Sequence, residues 1–267
     1  MNSFMICFLS NFNTLLETIS PRLTEILNRI ETHKSRLDAL RSRLDNETIR
    51  EALRVEFLYE SNRIEGNSLS LRETQMVISE GMTISGKTLR EHLEAINHRE
   101  AITLIEEAVR EDADFSPYLL KQIHALVLHG IDREAAGRYR HIPVLIAGSA
   151  HKPPAPYLLE ELMDAYFNFY ENYKSKLPAV LLAALLHEKL VSIHPFVDGN
   201  GRTARLVMNL ILLRAGYPLA IIGGDYESRI AYYQALEDAK DNPESFSIFI
   251  AQKVEMALLR YLNILEA

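Results

Sequence analysis

Apolar positions repeat with helical spacing over most of the chain. After Ser20-Pro21, a serine cap with proline in the first turn, the residues Leu23, Ile26, Ile30, His33, Leu37, Leu40 and Leu44 recur in alternating steps of three and four. Such a seam suits either a long helix packed on its own domain or a helix pairing with a second copy. A second stripe, Ile49, Leu53, Phe57 and Leu58, predicts a helix over about 46–64 that stops at Glu65-Gly66-Asn67, where glycine suits a left-handed cap. Ser70-x-x-Glu73 has the form of a capping box. Leu89, Leu93, Ile96, Ile102 and Ile105 describe an amphipathic helix over 88–109, and Ser116-Pro117 opens another that runs to about 128.

The pattern changes after Gly137. Tyr139, Ile142, Val144, Leu145 and Ile146, followed by Ala147-Gly148-Ser149, predict a β-hairpin or extended flap. His151-Lys152-Pro153-Pro154-Ala155-Pro156 holds too many prolines for a helix and must be a loop. Helical spacing resumes over 158–170, 178–192, 203–214 and 227–240, and from Pro243 to the end. No repeat, low-complexity tract or long linker interrupts it. The expected fold class is all-α: a helical bundle carrying one small β-hairpin flap.

Composition narrows the function. Of 267 residues, 48% are apolar and 24% charged, so a folded domain is expected. The net charge of −7 leaves no general basic surface for nucleic acid. Cys7 is the only cysteine, which excludes intramolecular disulfides and Cys-rich metal sites and suits a reducing compartment. The apolar run around it, Phe4-Met5-Ile6-Cys7-Phe8-Leu9, lacks a basic flank and a cleavage site and is too short to cross a bilayer. A soluble, cytoplasmic chain without membrane contact is therefore the expectation.

The densest chemistry lies in His194-Pro195-Phe196-Val197-Asp198-Gly199-Asn200-Gly201-Arg202-Thr203-Ala204-Arg205. His194 offers a base that is neutral near pH 7. Asp198 is a hard oxygen ligand suited to Mg2+ shared with phosphates. Gly199-Asn200-Gly201 can turn successive N–H groups inward at a helix N-terminus, an anion-binding arrangement. Arg202 and Arg205, three apart, fall on one side of that helix and suit terminal phosphates. Together they describe metal-assisted attack of a hydroxyl on phosphorus with pyrophosphate leaving. His187-Glu188 is not a zinc motif, because Val191 stands where the second histidine belongs, and His187 reads as a core residue.

The run from His194 to Arg205 resembles the Fic-domain signature, H-x-F-x-D/E-G-N-G-R-x-x-R, with every fixed position filled. The resemblance implies a helical core over 88–267, preceded by an N-terminal helical region, 1–87, that includes an inhibitory helix near 54–66. It implies transfer of AMP from ATP to a Ser, Thr or Tyr hydroxyl of a target protein or of the chain itself. His194 would be the base, Asp198 the Mg2+ ligand, and Phe196 a buried anchor. Gly199, Asn200 and Gly201 would cradle phosphates, with Arg202 and Arg205 gripping the terminal ones. Gly201 sides with the AMP-transferring branch, since Doc-like kinases carry lysine there. Ser61-Asn62-Arg63-Ile64-Glu65-Gly66 is similar to the family's inhibitory pattern, S/T-x-x-x-E-G/N, which implies that Glu65 pairs with Arg205. Tyr232 and Tyr233 resemble residues that pack on the nucleoside, and the flap resembles one that aligns a target segment by strand pairing. After them many members read Ala-Asn-x-Gly-Asp; here Ala239-Lys240-Asp241-Asn242-Pro243 follows, and the expected base-contacting asparagine is missing or displaced.

The expected partners are ATP and a target protein, with a homodimer through the N-terminal seam as an open alternative. Removal of AMP from a modified protein, transfer of another nucleotide or of phosphocholine, and a non-catalytic ATP-sensing helical module also fit these residues.

Overall fold

The computed structural model describes residues 19–40, 47–146, 148–149 and 151–266. The Phe4 to Leu9 run with Cys7, and also Leu44 and Ala147, lie outside them. Among the described residues ten α-helices follow one another: α1 Pro21–Ala39, α2 Glu47–Ile64, α3 Leu71–Glu80, α4 Leu89–Arg110, α5 Pro117–Val127, α6 Leu159–Tyr173, α7 Ala179–Ile193, α8 Asn200–Arg214, α9 Tyr226–Asp238 and α10 Glu244–Glu266. The starts obey local chemistry. Ser20 Oγ accepts from Leu23 N at 3.2 Å, and the Ser70–Glu73 capping box forms, as does a second one between Thr88 and Glu91.

α7 and α8 form the centre. α7 is apolar almost throughout, and Val180 to Leu186 are all buried. α8 is buried on every side, so its polar residues Arg202, Thr203, Arg205 and Asn209 lie inside the protein. α10 lies on both α1 and α7, while α4 and α5 pack on α8 from another direction and α2 packs on α4. One hydrophobic cluster joins these helices from Leu23 to Leu262. The α1 seam is used within the chain: Leu23, Ile26, Ile30 and Leu37 are buried and α1 packs on α10. That contact supports the packed-helix alternative of the two the spacing allowed.

Two expectations change. In α4, Leu89 and Ile96 face solvent, and the inward face carries His92, Glu94, Asn97 and His98 beside Ala101, Ile102 and Ile105. The first half of α4 thus turns polar groups inward, among them Glu94 toward Arg202 of α8, while Ile102 and Ile105 of the expected stripe are buried. The predicted β-hairpin flap also does not form among the described residues, where 143–146 and 151–155 are irregular. The carbonyls a ladder would use are taken instead by Arg140, which donates to Ile142 O at 3.1 Å and Pro154 O at 2.7 Å. Pro143, Pro153 and Pro154 have no N–H to offer in return. No helix among the described residues is long and apolar enough to cross a membrane.

Candidate functional site

His194 caps the C-terminus of α7 in a left-handed conformation, φ 52° and ψ 57°, which costs a non-glycine residue about 1–2 kcal/mol. The turn is held by its own N–H on Leu190 O at 2.9 Å and by Arg140, whose Nε donates to His194 O at 2.8 Å. Arg140 N also donates to Pro195 O at 2.9 Å. Nδ1 of His194 faces only a carbonyl, Val191 O at 3.3 Å, so Nδ1 carries the proton and Nε2 keeps its lone pair. Burial pushes the imidazole down to about 4, with Arg140 and His151 lowering it further against the opposing pull of Val191 O and Glu65. It is neutral at physiological pH.

The loop from His194 to Asn200 is braced from inside. Phe196 is fully buried and stacks on His124 with ring centroids 3.6 Å apart. His124 Nδ1 accepts from Gly137 N at 3.0 Å, so its Nε2 is the donor to Asp198 O at 2.9 Å. Asn200 is also turned inward: Oδ1 accepts from Phe196 N at 3.0 Å and Nδ2 donates to Phe196 O at 2.9 Å. Its side chain therefore shapes the loop. Gly199 sits at φ 77°, and a Cβ there would come 3.1 Å from Val127. Neither His124 nor Arg140 stood out in the sequence. Both are single polar residues distant in the chain from the motif they brace, and only the fold brings them to it.

Asp198 opens toward solvent beside the start of α8. Its Oδ2 accepts from Arg90 at 2.6 Å, and Oδ1 accepts from Gly199 N at 2.6 Å and from Arg202 at 3.4 Å. Burial works to raise its pKa, but Arg202, the Gly199 N–H and Arg90 outweigh it, and the carboxyl is held below its usual range. Arg202 is buried beneath α4, 3.3 Å from Glu94, with its Nε unpartnered.

Arg205 is the largest fully buried side chain, 1% exposed. Three contacts from α2 and the turn that follows it hold it: Nε donates to Ser61 Oγ at 2.8 Å, and Nη2 donates to Ser61 O at 2.9 Å and Glu65 Oε1 at 2.7 Å. Burial lowers its pKa, but the Glu65 carboxylate and Tyr232 more than compensate, and it stays cationic. Nη1 has no partner. The approach of Glu65 depends on Gly201, because a Cβ there would lie 2.5 Å from Glu65 Oε1. Arg202 and Arg205 thus diverge, one toward Glu94 and Asp198 and the other toward α2.

A cleft of 560 Å³ brings together His194, Gly201, Arg205, Glu65, Tyr232 and Tyr233. Tyr232 is buried, shares a hydrogen bond with His187 Nε2 at 3.2 Å, and its ring lies 6.0 Å from the Arg205 guanidinium. Tyr233 is half-exposed, and its hydroxyl reaches Ile64 O at 3.5 Å. Asp198, Gly199, Asn200 and Arg202 do not line this cleft. His187 is a core residue stacked on Phe246. Among the described residues no group of three or more His, Cys, Asp or Glu side chains is arranged to hold a metal alone. Asp198 is the one motif carboxylate, and half-exposure fits it to a cation whose other ligands are phosphates and water.

Residues 114–212 match the model of the Fic/DOC family. The protein adenylyltransferase Fic of Nematostella vectensis is 36% identical over 262 residues, 95% of this chain and 60% of the relative. The protein of the same name from Drosophila melanogaster is 36% identical over 266 residues, 92% of this chain and 53% of the relative. The chain thus spans little more than half the length of these curated relatives. Among solved structures, a Fic-1 fragment from C. elegans superposes with a TM-score of 0.81 at 28% identity, covering 99% of this chain and 78% of that one. A Fic family protein from Desulfovibrio desulfuricans gives 0.80 at 26% identity, covering 92% and 76%.

Proposed function

The chain belongs to the Fic/DOC family, and we propose that it is an auto-inhibited protein adenylyltransferase, moving AMP from ATP to a Ser, Thr or Tyr hydroxyl. The observation that carries this reading is a single cleft. It holds a neutral His194 with Nε2 unprotonated and also an arginine clamped by the Glu65 carboxylate from the turn after α2.

In this reading His194 Nε2 takes the proton of the target hydroxyl as its oxygen bonds to the α-phosphorus. The bond from that phosphorus to the bridging oxygen breaks and pyrophosphate leaves. Backbone N–H groups of Asn200 and Gly201 at the N-terminus of α8 favour the negative phosphates, while the N–H of Gly199 holds Asp198 in place. Arg205 grips the terminal phosphate once Glu65 leaves it, and Arg202 fixes Asp198 and the start of α8. Asp198 would hold Mg2+, which when bound offsets phosphate charge. Arg90 must then yield its place on Asp198. Tyr232 and Tyr233 border the nucleoside. Residues 1–87 act as the regulatory part, with α2 as inhibitory helix, and 88–267 as the catalytic core.

Glu65 prevents the terminal phosphate from reaching Arg205, so ATP binds without its reactive orientation. The test uses labelled ATP and mass spectrometry on wild type, Glu65→Gly and Glu65→Gly/His194→Ala. The expected result is AMP labelling that rises at least tenfold in the first variant and vanishes in the second. No gain in the first refutes inhibition, and labelling that survives in the second refutes the base.

A second reading is supported by the place of Glu65 in the same cleft as His194, where its carboxylate can orient a water. That water would displace AMP from a modified side chain. Release of AMP by wild type, lost in Glu65→Gly, favours this reverse reaction.

A further inference from the structure

One end of the cleft contains a charged pair that the proposed chemistry does not use. Arg229, Tyr232, Tyr233, Leu236 and Glu237 all line the cleft from α9, and Lys240 continues the row just beyond its end. Their spacing of three and four makes this one face of the helix running along the cleft. Tyr232 marks the end near Arg205. Glu237 and Lys240 lie five and eight residues further on, on the order of 10 Å along the helix axis. That is the scale of a ribose and its phosphate chain. With phosphates held by Gly201 and Arg205, the base falls beside Glu237 and Lys240.

The pair is organised before any ligand arrives. The Lys240 ammonium donates to Glu237 Oε2, and the Ser149 hydroxyl of the opposite wall donates to Glu237 Oε1. The carboxylate pKa is drawn down by Lys240 and Ser149, so it stays an acceptor. Leu145, Ile146 and Gly148 line the facing wall. This end of the cleft thus combines apolar side chains with two opposite charges.

Those charges discriminate between purines. An ammonium has donors only, and an ionised carboxylate has acceptors only. Guanine offers O6 and N7 as adjacent acceptors to an ammonium, the pairing that lysine and arginine use most often on this base. Its N1–H and N2–H groups offer two parallel donors to a carboxylate. Adenine offers N7 beside the N6 amino group, so an ammonium that reaches N7 also meets a donor. Resting on the nucleotide-transfer reading above, we propose that Glu237 and Lys240 are the base-reading residues and admit guanine nucleotides alongside ATP.

Equilibrium binding of ATP and of GTP, each with Mg2+, to the Glu65→Gly protein tests this. The comparison includes Lys240→Asn and Glu237→Gln in that background, with UTP as the non-purine control. The expectation is GTP affinity within about tenfold of ATP, and a further loss of about tenfold for GTP alone in Lys240→Asn. GTP binding no better than UTP, or equal effects of both substitutions on all three nucleotides, overturns the proposal. Failure of every nucleotide to bind Glu65→Gly would instead overturn the transferase reading. Tight ATP binding with excluded GTP removes only the base-reading role.

Discussion

Burial gives the His194 imidazole a pKa of about 4 while its Nδ1–H stays on Val191 O. A base of this kind is proton-free over the whole physiological range. The pH profile of AMP transfer by Glu65→Gly should therefore be flat from pH 8 to about 5 and fall with an acid limb near 4. A limb near 6.5, the ordinary histidine value, would show that His194 is solvated in the working enzyme. His124 carries a different prediction. His124→Phe keeps the stack on Phe196 but strands Gly137 N and Asp198 O, at about 1–3 kcal/mol for each buried group left unpaired. Urea unfolding should show that loss, and nucleotide binding should weaken with it because the loop bearing Asp198 loosens. The identity of the motif residues was legible from spacing. Their directions were not: Asn200 turns to its own loop and Arg202 to Glu94, because their partners are fixed by packing between distant segments.

The seating of α2 sets whether Glu65 reaches Arg205. Glu60 accepts from Gly224 N at 2.5 Å, and Gly224 lies against the helix so closely that a Cβ would meet Arg63 Cβ at 2.7 Å and Glu60 O at 2.9 Å. Neither obstacle is the free end of a side chain, so the packing of α2 on the Gly224 backbone must change. Gly224→Ala should therefore lower stability by about 1–3 kcal/mol and at the same time raise AMP labelling above wild type. A destabilised variant with unchanged labelling would mean that α2 moves without releasing Arg205. At this scale the helices were legible, since a 3.6-residue stripe and a cap are local signals. Helix α8 begins at Asn200, three residues before the start the pattern suggested, because Gly199 opens it through backbone conformation rather than a side-chain cap. The flap failed as a hairpin for a non-local reason. Arg140 takes the carbonyls, and its reach to His194 O and Pro154 O cannot be read from alternating apolar residues.

Across the whole molecule, buried histidines link stability to pH. His98, His124, His187 and His194 are each held below the ordinary value by burial, His124 and His194 at about 4. His98 has no hydrogen-bond partner on either ring nitrogen, and Arg205 and Arg202 add to its depression. On unfolding, all four return to about 6.5. Between that value and each folded pKa the unfolded chain binds more protons, so stability rises with pH there. It is complete above about pH 6.5 and falls as the pH drops through 6 and 5, by up to ~1.4 kcal/mol per pH unit for each histidine. Urea midpoints at pH 7, 6 and 5 should fall steadily, well before carboxylates begin to titrate. His187→Phe, placed among Tyr232 and Phe246, removes one of these groups and should make the decline shallower. A midpoint constant from pH 7 to 5 would mean that these rings accept protons in the folded protein, and the acid limb assigned to His194 would have to move up with them.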